Sequence, residues 1–173
     1  MYNGSGGYMK KSIIISILLV IASMGIIFFL SSHDEPSSNK NSVGIVKGII
    51  DTIDNVTHVN DDTRRLHQSE EYIEKVNTFF RKCAHVTCYL VLTILIFNVL
   101  NRITKKKLLF YNICSFIISF IYACTDEFHQ TFVSGRMGQF TDVLIDSIGI
   151  IIGLLIMNYI YKKKNNKEEV SNA

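Results

Sequence analysis

At 173 residues the chain has room for one domain. Its 48% hydrophobic content is only slightly above that of a soluble protein, and a net charge of +3 from 18 basic and 15 acidic residues assigns no class by itself. A soluble domain is excluded by where the apolar residues fall: four runs, 12–30, 83–100, 108–124 and 143–161, hold 17 to 19 residues each. At about 1.5 Å rise per residue, helices of that length reach across most of a hydrocarbon layer about 30 Å thick. Helix is the state they must adopt, because lipid cannot satisfy a bare backbone.

The pattern predicts an all-α, polytopic membrane protein. It has four transmembrane helices and an amphipathic extracytoplasmic segment between the first and second. We expect one membrane domain over 1–173, with 31–82 as an extracytoplasmic loop and 162–173 as a cytoplasmic tail. The first run follows Lys10 and Lys11 as a signal peptide would. Its apolar core is too long for one, and "FFLSSHDEPSS" offers no small-x-small cleavage site, so an uncleaved anchor is expected.

Orientation follows from the basic residues. Four crossings put the N-terminus, the 101–107 loop and the C-terminus on one side, with Lys10, Lys11, Arg102, Lys105, Lys106, Lys107, Lys162, Lys163, Lys164 and Lys167. The short loop before the last run has only Arg136, and the seven basic residues of 31–82 are mixed with nine acidic ones. The positive-inside bias then places both termini in the cytoplasm of a multi-pass cell-membrane protein.

After the first run, "SSHDEPSSNKNS" at 31–42 reads as a polar turn with the only proline. Val43, Val46, Ile50 and Ile53 then recur at helical spacing, an apolar face for the outer leaflet or for the other helices. "HVNDDTRR" at 58–65 breaks the pattern. From Ser69 onward Tyr72, Ile73, Val76, Phe79, Phe80 and Cys83 recur without a breaker, which predicts one continuous helix over about 69–100.

That helix carries "RKCAHVTCYLVL", where Arg81, Lys82, His85 and Tyr89 share a face. The third run ends in "TDEFHQTFVSGR", which packs Asp126, Glu127, His129, Gln130 and Arg136 into twelve residues. Helical continuation would put Asp126 near His129 and Glu127 near Gln130, with Gly135 turning the chain. The fourth run opens "TDVLIDSIGIIIGLL", where Asp142, Asp146, Gly149 and Gly153 line one face. The glycine pair is a G-x-x-x-G, which lets two helix backbones approach closely. Ionisable groups at such depth are costly and usually face a partner or a watery cavity. A mixed-charge cluster near the outer boundary is the economical arrangement.

Three uses of that cluster compete. Arg81, Lys82 and Arg136 could pair with the carboxylates purely as a lock for the bundle. The same cations could hold an anionic group on a lipid-linked or peptide ligand, as guanidinium groups do well. Finally, His85 and His129, with Asp126 and Glu127, could act as acid and base or as metal ligands. Other signals are weaker. Cys83, Cys88, Cys114 and Cys124 form neither a CxxC pair nor a zinc spacing and read as free core thiols. His33, His58 and His67 lie in polar stretches and are expected to be solvated. With no H-E-x-x-H, no metal or other cofactor is expected. "DEFH" is not accompanied by a phosphate-binding loop, and no nucleic-acid partner is expected.

Together "RKCAHVTCYLVL" and "YACTDEFHQTFVSGRMGQFTDVLIDSIGIIIG" resemble the VanZ-like membrane proteins. Those carry R-K-x-x-H-x-x-x-Y on one helix, a later acidic-acidic-x-His-Gln segment, a small-residue turn with Arg, and an Asp-x-x-x-Asp helix ending in spaced glycines. The resemblance covers roughly 78–155, and "FFLSS" at 28–32 resembles the family's first-helix ending. His33 stands where the family often has Gln, and Ser134 where it often has Pro. The family takes its name from a protein giving low-level resistance to teicoplanin, a lipid-tailed glycopeptide aimed at cell-wall precursors. The resemblance therefore implies an envelope role, with membrane lipids, lipid-linked wall precursors or lipoglycopeptide antibiotics as partners. It leaves open a binder, an enzyme acting on lipid head groups, and a scaffold for an envelope protein.

Overall fold

The computed structural model describes residues 4–32, 35–104, 106–134, 136 and 138–171, and side chains for 11–32, 42–104, 106–134, 136 and 138–167. His33 and Gly135, both singled out in the sequence, lie outside the described residues. Among the described residues there are six helices and no strand: α1 (Gly4–Ser31), α2 (Glu35–Thr57), α3 (Asp61–His67), α4 (Glu70–Ile103), α5 (Leu108–Gln130) and α6 (Phe140–Ser171). Helices α1, α4, α5 and α6 are long and apolar enough to cross a membrane, as the apolar runs predict.

Each apolar run lies within a longer helix. Helix α5 continues past the expected end at 124 through Gln130, so the acidic residues ride on its last turns. Helix α6 continues through Ser171, because its lysine-rich end contains no Gly or Pro to stop it. The continuous amphipathic helix expected from Ser69 is α4, whose N-cap is Ser69, with its hydroxyl 3.3 Å from the Tyr72 N–H.

Helix α4 is the centre of the bundle, touching α1, α2, α5 and α6. Its seam with α6 depends on two glycines. A Cβ built on Gly149 would lie 2.1 Å from the Val86 carbonyl oxygen, and one on Gly153 would lie 2.9 Å from that of Leu90. The G-x-x-x-G is thus a backbone contact, and Ile150 beside it is fully buried with Tyr89 and Leu92. Against α5 the seam is polar and small: the Thr93 and Ser119 hydroxyls are hydrogen-bonded at 3.0 Å, both residues being buried. Helix α1 is tied to α5 by the Tyr122 hydroxyl, which donates to the Met24 carbonyl at 2.6 Å. Where α4 turns into α5, the Tyr111 hydroxyl donates to Thr104 O and accepts from Lys106 N, both at 2.9 Å. The outward faces remain apolar, with Ile121 60% and Leu155 62% exposed, as suits a surface solvated by lipid tails.

Three sequence expectations change between the first two spans. The polar turn predicted over 31–42 is shorter, since the backbone is helical again from Glu35. Pro36 falls in the first turn, where its missing N–H has no intrahelical role. "HVNDDTRR" breaks the helix only briefly: His58 takes φ 51°, then Asn60 caps α3 by accepting from the Thr63 N–H at 2.8 Å. The predicted apolar face of α2 does pack on protein, with Val46 and Ile50 buried against Ile73 of α4, while Ile53 points away.

His67 is not solvated. Its Nδ1 lies 2.7 Å from Asp54 Oδ1, its ring stacks on Tyr72 at 4.7 Å, and the Asp54 carboxylate is only 2% exposed. The helix places Asp54 on the same buried side as Val46 and Ile50, so the carboxylate needs a partner that α3 returns to it. Removing His67 leaves that carboxylate unsatisfied, at a cost of about 1–3 kcal/mol. His67→Ala should therefore speed amide exchange across α2 and α3 and leave α4 to α6 unchanged. Uniform protection in the variant would refute the tie. Cys83 also departs from expectation: it is exposed, whereas Cys88, Cys114 and Cys124 are half-buried.

Candidate functional site

The polar residues predicted to cluster do meet at one end of the bundle, where α1 and α5 end and α6 begins. Helix α5 ends in a series of tight turns, with Thr131 N–H bonding Phe128 O and Arg136 N–H bonding Val133 O. The chain then doubles back so closely that a Cβ on Gly138 would lie 2.1 Å from the Glu127 carbonyl oxygen. Only glycine fits there. That approach brings the Gln139 N–H 3.0 Å from Glu127 Oε2 and folds Arg136 inward until it is 9% exposed.

Between these walls lies a cavity of about 230 Å³. Helix α4 supplies Arg81, Lys82 and His85, helix α5 supplies Glu127 and Gln130, the loop supplies Arg136, and α6 supplies Asp142 and Asp146. Lys82 Nζ donates to Asp142 Oδ1 at 2.5 Å across the α4–α6 mouth. That pair is about a third exposed on each side, so it is worth at most about 1 kcal/mol. Asp146 is deeper, 2% exposed, within electrostatic reach of Glu127, Asp126, Asp142 and Lys82. His85 faces the same space with Asp126, Asp142, Arg81 and Arg136 around it.

A hydrogen-bonded frame holds the α5 wall. Gln130 Nε2 donates to Glu127 Oε1 at 2.9 Å and to Asp126 Oδ2 at 3.2 Å, while its Oε1 accepts from Arg136 Nη1 at 3.3 Å. Arg136 Nη2 reaches on to the Leu30 carbonyl at 3.4 Å. Asp126, 3% exposed, does not line the cavity and accepts instead from the Ser31 hydroxyl at 2.8 Å, tying α5 to α1.

Eight of the eleven predicted ligand residues thus share one cavity, and three do not. Asp126 is a tie behind the wall. Tyr89 is fully buried one helical turn deeper, its ring 6.3 Å from Tyr122 and its hydroxyl without a hydrogen-bond partner among the described residues. His129 lies one turn from Asp126 on α5, as helical continuation suggested, but does not line the cavity. It turns to α1, stacking on Phe28 at 4.5 Å with Nε2 3.2 Å from the Ser32 hydroxyl. A site built from the last three spans alone is therefore incomplete, because α1 contributes Ser31, Ser32 and the Leu30 carbonyl. The two serines closing the first apolar run were the available signal. Gly138, Gln139 and Thr78, which also lines the cavity, carried none.

Among the described residues no three of His, Cys, Asp and Glu converge as a metal-binding group. A family model described as VanZ/LLP1 matches residues 16–161, reaching into all four spans and covering the whole cavity. The chain belongs to the VanZ/LLP1 family. No curated protein and no solved structure gives a significant match. The VanZ/LLP1 match extends the motif resemblance of 78–155 to the first helix, whose end buttresses the cavity through Ser31.

Proposed function

We propose that this VanZ-like protein sits in the cell membrane with both termini cytoplasmic. Its cavity then faces outward and binds an anionic group on a lipid-linked or peptide ligand, reducing susceptibility to teicoplanin-type lipoglycopeptides. One observation carries the binding role: Arg81, Lys82 and Arg136 are held around a single cavity large enough for a small anionic group. Lys82 pairs with Asp142 at the mouth, and the lining still encloses about 230 Å³, space that a lock alone does not require. Guanidinium groups suit phosphate and carboxylate because each offers parallel donors in one plane. The outward orientation rests on the basic residues gathered at 10–11, 101–107 and 162–167.

The test compares teicoplanin with vancomycin in a deletion strain, a complemented strain and one complemented with Arg81→Gln. Deletion should sensitise to teicoplanin and leave vancomycin unchanged, and Arg81→Gln at equal membrane abundance should not restore resistance. An unchanged teicoplanin response in the deletion removes the resistance role. A second reading, an enzyme acting on lipid head groups, is favoured by His85, which faces the cavity beside Asp142 and Asp146. Turnover of a phospholipid head group by the purified protein, abolished by His85→Gln, would select it.

A further inference from the structure

The polar cavity is not the only space against the cationic side chains. A second, apolar groove of about 100 Å³ lies between α1 and α4, lined by Ile27 and Leu30 on one side and Ala84 and Cys88 on the other. Its remaining walls are Arg81, His85 and Arg136, which are also walls of the polar cavity. The two spaces therefore share a boundary built from two guanidiniums and an imidazole. Leu30 is 45% exposed and Ala84 is exposed, so the groove opens sideways onto the surface that faces lipid.

Resting on the binding role above, we infer that the ligand is a phosphate-bearing membrane lipid that enters sideways between α1 and α4. Its phosphate lies at Arg81 and Arg136, and the first methylene groups of one chain lie along Ile27, Leu30, Ala84 and Cys88. A water-soluble anion needs the polar cavity but has no use for an apolar groove at the same guanidiniums. A fully apolar lipid needs neither arginine. A phosphate lipid uses both, and the sideways opening means that its chain never has to enter water, a transfer whose cost grows with every methylene group. The groove holds only the part of the chain nearest the head, so the rest stays in the bilayer.

The full chain in nanodiscs is the system to test, doped with phosphatidylglycerol carrying a photoreactive diazirine near the glycerol end of one chain. Diacylglycerol with the same labelled chain is the control, and glycerol phosphate is titrated separately as the soluble head group. Labelling by phosphatidylglycerol should concentrate severalfold on 27–30 and 84–88 over diacylglycerol. Ala84→Phe, which fills the groove from an exposed position, should erase that excess and leave glycerol phosphate affinity unchanged. Should Ala84→Phe fail to fold, Leu30→Trp fills the groove from α1 and must likewise erase the labelling excess. Glycerol phosphate binding with equal labelling by the two lipids overturns the groove and leaves the anion site standing. Absence of both glycerol phosphate binding and selective labelling overturns the two together.

Discussion

Gly149→Val should cost the protein its folded bundle, whereas Gly25→Ala should cost nothing. The atoms that a Cβ on Gly149 would meet are Val86 O at 2.1 Å, Val86 C at 2.9 Å and Leu90 N at 3.2 Å, all of them backbone of a helix. A side chain there cannot be absorbed by rotating a neighbour, so α4 and α6 must separate. Separation opens the packing of Ile150 against Tyr89 and Leu92, and pulls Asp142 from Lys82 at the cavity mouth. Overpacking typically costs about 1–3 kcal/mol, and a forced shift of two central helices belongs at or above the top of that range. Gly153→Ala should be milder, because the nearest atom is 2.9 Å away and the next contacts belong to the Thr93 side chain. At Gly25 nothing lies within 4 Å, so alanine there should only improve helix propensity. Thermal unfolding in detergent, read by size-exclusion of the tagged protein, ranks the three. A Gly149→Val protein as stable as Gly25→Ala would mean that the seam is not a backbone contact.

The two glycines show why so much of the fold was legible. Helix periodicity fixes which residues share a face, so Asp142, Asp146, Gly149 and Gly153 could be assigned to one side of α6 before any packing was known. The same rule placed Arg81, Lys82 and His85 together on α4. It is silent on what a side chain meets at the end of a helix, where a neighbour decides. His129 and Asp126 lie one turn apart on α5 as periodicity requires, yet their partners, Phe28 and Ser32 for the imidazole and Ser31 for the carboxylate, are set by α1. His67 illustrates the same limit: it reads as a solvated residue, and only the return of α3 towards α2 makes it the partner of Asp54. Gly138 was illegible for another reason. A glycine in a loop is ordinary in sequence, and its necessity comes from the carbonyl of Glu127 on α5, eleven residues upstream.

Arg136→Gln should weaken glycerol phosphate binding by about 10–100-fold, the equivalent of the ~1.5–3 kcal/mol carried by hydrogen bonds to a charged group. Arg136 touches α1 and α5 together, through Leu30 O and Gln130 Oε1, while facing the cavity and the groove. Glutamine keeps some hydrogen bonding but loses the charge. Arg136→Lys keeps the charge as a single point and cannot reach both partners and an anion, so it should fall between the two. His129→Gln should leave binding within about twofold, since changes below about 0.5 kcal/mol are usual for side chains away from the site. Its imidazole stacks on Phe28 outside the cavity, so any loss should appear in stability as a loosened α1. Calorimetric titration of glycerol phosphate, with unfolding temperatures recorded for the same samples, separates the two effects. Equal loss of binding in His129→Gln and Arg136→Gln, with both proteins equally destabilised, would identify the whole cluster as an ion-pair lock and not a ligand site.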